Sequence, residues 1–310
     1  MVRRFIKGLP ILLALLLLTV SIITITHEFK EHNPSEILQY LSTISQSRKI
    51  GVIALTGLGY LTMTGYDLLG FRYIGQFLTI NKIIFTAFVS YAIGNTIGFS
   101  ALSGTAIRYR FYGVWGVSKR KIAQLVIVTH LTFWLGLFGV SGVVFLVDPL
   151  SLPDILKLPF KSAHPLGIFF LILVSIYFII SYFSKKPLKI GSELISFPSP
   201  TISLASIGIA AVDWGIASGV LYLLLPLSKI ISFPGFFGIY ILGLTAGLIS
   251  TVPGGLGVFE TVILLSLPET ISQADILGGL IAYRAIYYLL PLIVAILLFI
   301  IKEIQEQRRR

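Results

Sequence analysis

Long apolar stretches separated by short polar connections run along the whole chain. A helix needs about 20 mostly apolar residues to cross a bilayer. Stretches of roughly this length lie at 9–25, 50–69, 83–102, 122–147, 166–183, 202–225, 236–250 and 276–301, with a shorter one at 258–267. The pattern predicts an all-α, polytopic integral membrane protein with about eight membrane segments in one membrane domain, residues 1–310.

Basic residues predict how these segments are oriented. Arg3, Arg4 and Lys7 precede the first stretch, which resembles a signal peptide but lacks a small-residue cleavage site. We therefore expect a retained first helix. Basic loops stay in the cytoplasm, so these residues and the basic run at 308–310 predict that both termini are cytoplasmic.

Composition and charge narrow the function classes. The chain is 55% hydrophobic and 12% charged, about half the charge of a soluble protein. Its net charge of +11 would suggest nucleic acid for a soluble protein, but here it indicates cytoplasmic loops facing anionic lipid, and we expect no nucleic-acid partner. With no Cys and four His without an HExxH pattern, we expect no metal or other cofactor.

Two basic clusters conflict with eight simple crossings. The residues that such a topology would place outside are Arg108, Arg110 and the runs at 119–121 and 185–189. If 83–110 enters the membrane and returns to the cytoplasm, and 236–267 does the same from the outside, every cluster becomes cytoplasmic. This predicts six full crossings plus two re-entrant hairpins. Eight simple crossings remain the alternative, because 83–102 is long enough to span.

The two predicted hairpins also resemble each other. Each contains a G-x-x-x-G pattern, at 94–98 and at 243–247, followed by a small-residue segment in which Gly104 aligns with Gly254. We interpret this as an inverted repeat with halves 50–147 and 202–301, although chance similarity in a Gly-rich membrane protein is the alternative. Such interrupted segments at matching positions point to a transporter substrate site.

The segment 252–257 (VPGGLG) is the more strongly interrupted of the two. Irregular backbone inside a membrane requires a cavity or neighbouring protein to satisfy its polar groups. Gly254 and Gly255 permit unusual backbone angles, and a helix beginning just after them would direct free N–H groups at an anion such as phosphate. The alternative is a tight turn whose glycines serve helix packing.

Three motifs together resemble one family. They are 64–73 (TGYDLLGFRY), 95–118 (NTIGFSALSGTAIRYRFYGVWGVS) and 250–260 (STVPGGLGVFE). They are similar to the lysylphosphatidylglycerol synthase transmembrane-region family, known as the flippase portion of the bacterial multiple peptide resistance factor, and the likeness covers roughly residues 5–301.

This resemblance implies a lipid translocase of the bacterial inner membrane. Its expected cargo is aminoacylated phosphatidylglycerol or a related phospholipid, whose movement between leaflets would confer antimicrobial peptide resistance. Bifunctional members continue into an aminoacyltransferase domain. Because this sequence ends at Arg310, we expect no synthase activity in it. A separately encoded synthase partner and a homo-oligomer both remain open.

Acidic residues within spans are costly and therefore functional candidates. Asp213, beside Trp214, is interpreted as a counter-charge for a basic head group or as a proton-relay carboxylate, with an ion pair to Arg284 as the alternative. Asp67 has Arg72 five residues further on as a local partner.

Basic residues near the predicted hairpins suggest phosphate recognition. Arg108 and Arg110 suit bidentate binding of a phospholipid head group, or else form a cytoplasmic loop that meets anionic lipid. Glu260 is expected either to pair with Arg110 or to begin a helix as a favourable acid.

We predict that the charged head slides through a polar cavity while the acyl chains stay in lipid. The predicted substrate-binding residues are Asp67, Arg72, Ser100, Ser103, Arg108, Arg110, Asp213, Gly254, Gly255, Glu260 and Arg284. No nucleotide-binding motif is present, so movement would be passive or ion-driven. Two alternatives stay open: an intramembrane enzyme on a lipid-linked substrate with Asp213 and Glu260 as acid and base, or a membrane partner of a separate synthase or glycosyltransferase.

Overall fold

The computed structural model describes most of the chain. The described residues are 34–97, 100–148, 150, 159, 161–184, 187–190, 193–227, 230–250 and 253–308. The predicted first span at 9–25 lies outside them, as do the N-terminal basic residues and the arginines at 309 and 310.

Helices dominate the described residues. In chain order they are α1 Pro34–Thr43, α2 Gln46–Tyr73, α3 Ile80–Ile97, α4 Ser100–Val114, α5 Lys119–Val147, α6 His164–Phe183, α7 Pro200–Leu224, α8 Phe233–Ile249, α9 Val258–Ser266, α10 Gln273–Tyr283 and α11 Leu290–Arg308. A π-helical segment, Arg284–Leu289, joins α10 to α11. Strands β1 (Leu188–Ile190) and β2 (Glu193–Ile195) form a short antiparallel hairpin between α6 and α7.

Serine residues begin several of these helices. Ser118, Ser199, Ser232 and Ser272 each accept a hydrogen bond from the backbone N–H three residues later. Each side chain thereby satisfies one of the backbone donors that a helix leaves free in its first turn. Short polar connections therefore suffice to end one apolar helix and begin the next.

Five helices within the described residues are long and apolar enough to cross a membrane. They are Gln46–Tyr73, Lys119–Val147, His164–Phe183, Pro200–Leu224 and the continuous helix Gln273–Glu306. Together with the shorter apolar helices they confirm the predicted polytopic α-helical membrane protein. The three other described apolar stretches, 83–102, 236–250 and 258–267, supply α3, α8 and α9, which are arms of hairpins.

Helices α2 and α7 pack together and run in opposite directions. A Cβ atom added to Gly51, near the start of α2, would lie 3.1 Å from Leu223 near the end of α7. At the other end, the Tyr73 hydroxyl donates to the Ser196 carbonyl just before α7 begins, at 2.8 Å. The start of α2 therefore lies on the same face of the bundle as the end of α7, and the end of α2 lies on the same face as the start of α7.

Helices α3 and α4 form the first hairpin. The rings of Phe85 and Phe111 lie 5.0 Å apart in an edge-to-face contact, and Lys82 Nζ lies 5.4 Å from the Trp115 ring. Since early residues of α3 meet late residues of α4, both ends of the hairpin lie on one face. The predicted return of this segment to its starting face is therefore seen as a helical hairpin.

Helices α8 and α9 form the second hairpin, which begins and ends on the opposite face. The Tyr222 hydroxyl near the end of α7 donates to the Ile231 carbonyl just before α8. Glycines allow the two arms to approach closely: a Cβ atom at Gly243 would lie 3.1 Å from the Phe259 ring, and one at Gly255 would lie 3.2 Å from Gly247 Cα. The two hairpins therefore enter the bundle from opposite faces.

Basic residues concentrate on the face where the first hairpin begins, which we call the basic face. It carries Arg72, Lys82, Lys119, Arg120, Lys121, Lys302 and Arg308 at the ends of α2, α3, α5 and α11. On the opposite face, α1 packs across the ends of α7 and α10, where the Tyr40 hydroxyl donates to the Leu224 carbonyl at 2.8 Å.

The close approach inside the second hairpin makes a stability prediction. Gly255 and Gly257 both have left-handed backbone angles, with φ of 64° and 77°, but only a Cβ at Gly255 would meet another backbone. Gly255→Ala is expected to cost about 2–4 kcal/mol, from left-handed strain plus overpacking. The matched control Gly257→Ala carries only the strain, about 1–2 kcal/mol. Thermal unfolding in detergent measures both, and equal losses would contradict the proposed close packing.

Candidate functional site

The tips of the two hairpins meet inside the bundle. A Cβ atom added to Gly254, in the turn before α9, would lie 3.9 Å from the Thr96 carbonyl at the end of α3. The Thr96 hydroxyl can donate to two carbonyl groups. One is that of Ala92 in the same helix, at 2.9 Å, and the other is that of Tyr288, at 3.4 Å. Two interrupted segments and the π-helical segment of the last span therefore converge.

Arg284 holds the turn of the second hairpin in place. Its Nε donates to Glu260 Oε1 at 2.7 Å, its Nη2 lies 2.6 Å from the same oxygen, and its Nη1 donates to the Gly254 carbonyl at 3.0 Å. The other Glu260 oxygen accepts a hydrogen bond from the Gly257 N–H at 2.9 Å, which begins α9. The guanidinium also lies 5.0 Å from the Tyr288 ring. We call Thr96, Gly254, Glu260, Arg284 and Tyr288 the tip cluster.

Backbone irregularity is concentrated at this cluster. Gly254 adopts φ 64° and ψ 8° within a short 3-10 turn, which an L side chain resists. Across from it, Arg284 starts the six-residue π-helical segment, a form that is rare in proteins and frequent at functional sites. Both features leave carbonyl groups free for side-chain donors, and Arg284 uses one of them.

A narrow crevice opens beside the cluster. Its lining residues are Thr96, Gly254, Leu256, Arg284, Tyr288 and Leu289, and it has room for about one water molecule. The Arg284 side chain is 12% exposed and that of Glu260 is 22% exposed. The crevice is therefore too small for a phosphate group, which could enter only if the two hairpin tips separated.

A second polar group ties the first hairpin to α2. Arg108 donates from Nε to Asp67 Oδ1 at 2.8 Å and from Nη2 to Oδ2 at 2.7 Å. The Tyr112 hydroxyl also donates to Asp67 Oδ1 at 2.8 Å, and the guanidinium lies 4.8 Å from the Tyr91 ring. Both charged side chains are almost fully buried, so this bidentate pair is an internal anchor of the hairpin.

A third ion pair lies nearer the basic face. Arg110 donates from Nε to Glu303 Oε2 at 3.1 Å and from Nη2 to Oε1 at 2.6 Å. Because α4 is helical, Arg108 and Arg110 point to different neighbours, α2 and α11. Neither guanidinium is left unpaired for a phosphate in this conformation.

The structure corrects the expected pairings of Asp213 with Arg284 and of Asp67 with Arg72. Arg284 pairs with Glu260, so the alternative in which it neutralises Asp213 is wrong. Asp67 bonds Arg108 across two helices, whereas Arg72 is exposed at the end of α2.

Glu260 is bound by Arg284 and not by Arg110. Its other expected role, as an acid beginning a helix, is confirmed by its place in the first turn of α9. The observed partners were not evident from the sequence, because Arg108 and Asp67 are 41 residues apart and Arg284 and Glu260 are 24 residues apart, on different helices.

The other predicted site residues fall in different places. Ser100 and Ser103 lie in the first turn of α4, close to the tip in sequence, and their side chains are outside what is described. Gly255 lies beside Gly254 and packs against Gly247. Asp213 is buried in the middle of α7, 3% exposed, and its Oδ1 has no hydrogen-bond partner. The predicted residues therefore form separate groups around the two hairpins instead of one continuous cavity.

Several residues of these groups were not predicted from the sequence. Glu303 was a detectable candidate, being acidic and adjacent to the last apolar stretch. Thr96 and Tyr112 lie within the motif 95–118, but nothing marks them or Tyr288 as site residues, because tyrosine and threonine are ordinary in apolar helices and their role depends on distant partners. Among the described side chains, no three His, Cys, Asp or Glu residues converge as metal ligands would.

Comparisons with known proteins agree with this architecture. A family model of the lysylphosphatidylglycerol synthase TM region matches residues 9–295. The uncharacterized protein slr0712 of Synechocystis sp. is 47% identical over 303 residues, which cover 98% of this chain and 94% of that protein. The inner membrane protein YbhN of Escherichia coli is 27% identical over 277 residues, covering 89% and 86% of the two chains.

A longer relative shares only the membrane portion. The phosphatidylglycerol lysyltransferase of Staphylococcus haemolyticus is 23% identical over 298 residues, which cover 96% of this chain but 34% of that protein. The chain thus spans about a third of the length of that relative. The match by the family model across most of the chain confirms the resemblance carried by the motifs, and the protein belongs to the lysylphosphatidylglycerol synthase transmembrane-region family.

Proposed function

We propose that the protein moves a phospholipid, aminoacylated phosphatidylglycerol or a related anionic lipid, between the leaflets of a bacterial inner membrane. The observation that carries the proposal is the convergence of two hairpins, entering from opposite faces, on Arg284. Opposed interrupted segments are the architecture in which transporters place their substrate site. Separation of the tips on alternate faces would give a head group access from each side in turn.

Arg284 is the group best suited to meet the phosphate. Its side chain is more exposed than that of Arg108, 12% against 4%, and it borders the crevice. A guanidinium binds phosphate through two parallel hydrogen bonds. An arriving phosphate would compete with Glu260 and the Gly254 carbonyl for these donors, and loss of the Gly254 bond would release the tip.

The distribution of basic residues supports the orientation. Because basic loops remain cytoplasmic, the basic face would be the cytoplasmic one, with the first hairpin entering from the cytoplasm and the second from outside. The exposed apolar side chains of the long helices would face lipid, where the acyl chains of the cargo travel.

Reconstitution into vesicles tests the proposal. Vesicles carrying fluorescent phosphatidylglycerol in both leaflets are treated with a membrane-impermeant quencher. We expect about half of the fluorescence to be lost rapidly without protein, because the quencher reaches one leaflet, and nearly all of it to be lost in vesicles that carry the protein. Loss equal to that in vesicles carrying an unrelated polytopic protein would refute the function, and a lysyl-phosphatidylglycerol analogue tests the aminoacylated cargo in parallel.

A further inference from the structure

Asp213 differs from every other buried charged residue in the described part of the chain. Asp67, Arg108, Glu303 and Glu306 are also less than 10% exposed, and each has an oppositely charged partner within 4 Å. Asp213 has no ion pair among the described residues, and its Oδ1 accepts no hydrogen bond. It is therefore the one buried acid here whose charge the described residues do not neutralise.

Asp213 lies where α7 packs against both α2 and α5. Contacts on either side of it, Gly59 with Ile216 and Gly65 with Ile209, hold α7 against α2. Its neighbour Trp214 packs edge-to-face on Phe133 of α5 at 5.8 Å. Both helices adjoining Asp213 are thus tightly packed, and a charge held between them would lack water.

The ionisable groups within electrostatic range of Asp213 include several tyrosines. Its carboxyl is close enough to act electrostatically on hydroxyls from α2, α3, α8 and the π-helical segment, namely Tyr60, Tyr66, Tyr91, Tyr240, Tyr287 and Tyr288. The ionisable residue of α5 in this region, His130, is bonded to the Val126 carbonyl through Nδ1. Among the described residues, no Lys or Arg forms an ion pair with the carboxyl.

Some of these hydroxyls also lack partners. Tyr66 and Tyr287 carry buried hydroxyl oxygens without a hydrogen bond, as do Thr64 and Ser218 nearby on α2 and α7. Buried polar groups in proteins are satisfied by protein or water as a rule. A site holding a carboxyl and several unsatisfied hydroxyls therefore has the chemistry to bind a proton in the closed state and to take up water in an open one.

Tyr287 and Tyr288, together with Tyr283, connect the surroundings of Asp213 to the tip cluster. Tyr287 stacks on Tyr283 with ring centroids 5.2 Å apart, and Tyr283 meets Tyr288 at 5.7 Å. Tyr288 then contacts the Arg284 guanidinium. All four residues lie in α10 and the π-helical segment, so a shift of that segment moves Asp213's neighbours and the tip together.

We propose that Asp213 is the proton-binding group that couples lipid movement to the transmembrane proton gradient, a role that rests on the proposed lipid translocation. A buried carboxyl without a cation is far more stable neutral than charged. The closed state would hold the carboxyl as COOH. Release of its proton to water on one face leaves a carboxylate that requires hydration, favouring separation of α2 from α7, and uptake from the other face allows closure.

Leaflet distribution under a proton gradient tests the coupling. With one proton exchanged per lipid, a gradient of about one pH unit at zero membrane potential should shift the leaflet ratio of phosphatidylglycerol about tenfold. In Asp213→Asn, which resembles the neutral acid, lipid should still equilibrate but ignore the gradient. The matched control Asp275→Asn, an exposed acid at the start of α10, should respond like the wild type.

Infrared titration of the purified protein tests the site independently of transport. The wild type should show a protonated-carboxyl band that is absent in Asp213→Asn and shifted in Asp213→Glu, which also serves if the Asn variant does not fold. Absence of that band, or an unchanged gradient response in Asp213→Asn, overturns the inference. A response to sodium instead of protons also overturns it. If no lipid moves in wild-type vesicles, the proposed function fails while the infrared band still decides whether Asp213 binds a proton.

Discussion

Arg284→Ala is expected to reduce the rate of phosphatidylglycerol movement by about ten- to a hundredfold, the loss of 1.5–3 kcal/mol that one charge-assisted contact supplies. The substitution removes the guanidinium that borders the crevice and its bond to the Gly254 carbonyl. Rates of quencher-accessible fluorescence in reconstituted vesicles measure the effect. Arg284→Lys should retain an intermediate rate, because an ammonium keeps the charge but not the planar pair of donors.

Arg308 provides a control that separates phosphate binding by Arg284 from the effect of simply removing one positive charge. Arg308 is exposed at the end of α11 on the basic face, and Arg308→Ala should move lipid at the wild-type rate. Since Arg284→Ala also leaves Glu260 unpaired, Arg284→Ala combined with Glu260→Gln distinguishes folding from function. If that double variant is as stable as the wild type and moves lipid normally, Arg284 is not the phosphate-binding group.

Asp67→Asn is expected to destabilise the protein by about 3–5 kcal/mol, since it leaves a buried guanidinium without its partner. Asp67 accepts three hydrogen bonds, two from Arg108 and one from Tyr112. An asparagine replaces the carboxylate by a neutral amide with only one acceptor oxygen. Thermal unfolding in detergent gives the change in free energy, which should be the largest among single substitutions of the buried pairs.

A double variant tests whether the loss of stability in Asp67→Asn comes from the buried charge that is left without a partner. Asp67→Asn together with Arg108→Met removes both charges and should be substantially more stable than Asp67→Asn alone, because a buried ion pair replaced by neutral side chains of similar size is often tolerated. Lys302→Met at the loosely held pair with Glu306, 3.6 Å apart and partly exposed, should cost less than about 1 kcal/mol. Additive losses at Asp67 and Arg108 would contradict this account.

The two hairpins show which structural features could be predicted from the sequence and which could not. The conflict between basic clusters and simple crossings predicts that 83–110 returns to its starting face, and the Phe85–Phe111 contact confirms this. The tip-to-tip contact of Thr96 with Gly254 was not predictable. It depends on the packing of helices more than 150 residues apart, for which neither hydrophobic pattern nor charge gives a register.

The predicted site residues divide in the same way. The cost of intramembrane charge identified Asp67 and Asp213 as candidates, and both are buried. Arg108, expected to meet a phosphate or anionic lipid, is also buried. The expected partner of Asp67 was Arg72, which is close along the chain, and that of Asp213 was Arg284 in the last span. The structure forms neither pair. Proximity along the chain is a poor guide here, because antiparallel helices bring together residues far apart in sequence.

The sequence by itself determined the membrane architecture, the family and the candidates for function, because the bilayer imposes apolar length and excludes unpaired charge from any segment that crosses it. Only the tertiary structure decided which charges neutralise one another and which is left over. Three arginines bind carboxylates on other helices, whereas Asp213 has no ion pair among the described residues and its Oδ1 accepts no hydrogen bond. That choice depends on side chains converging to within hydrogen-bond distance, a property of helix packing that no single helix contains.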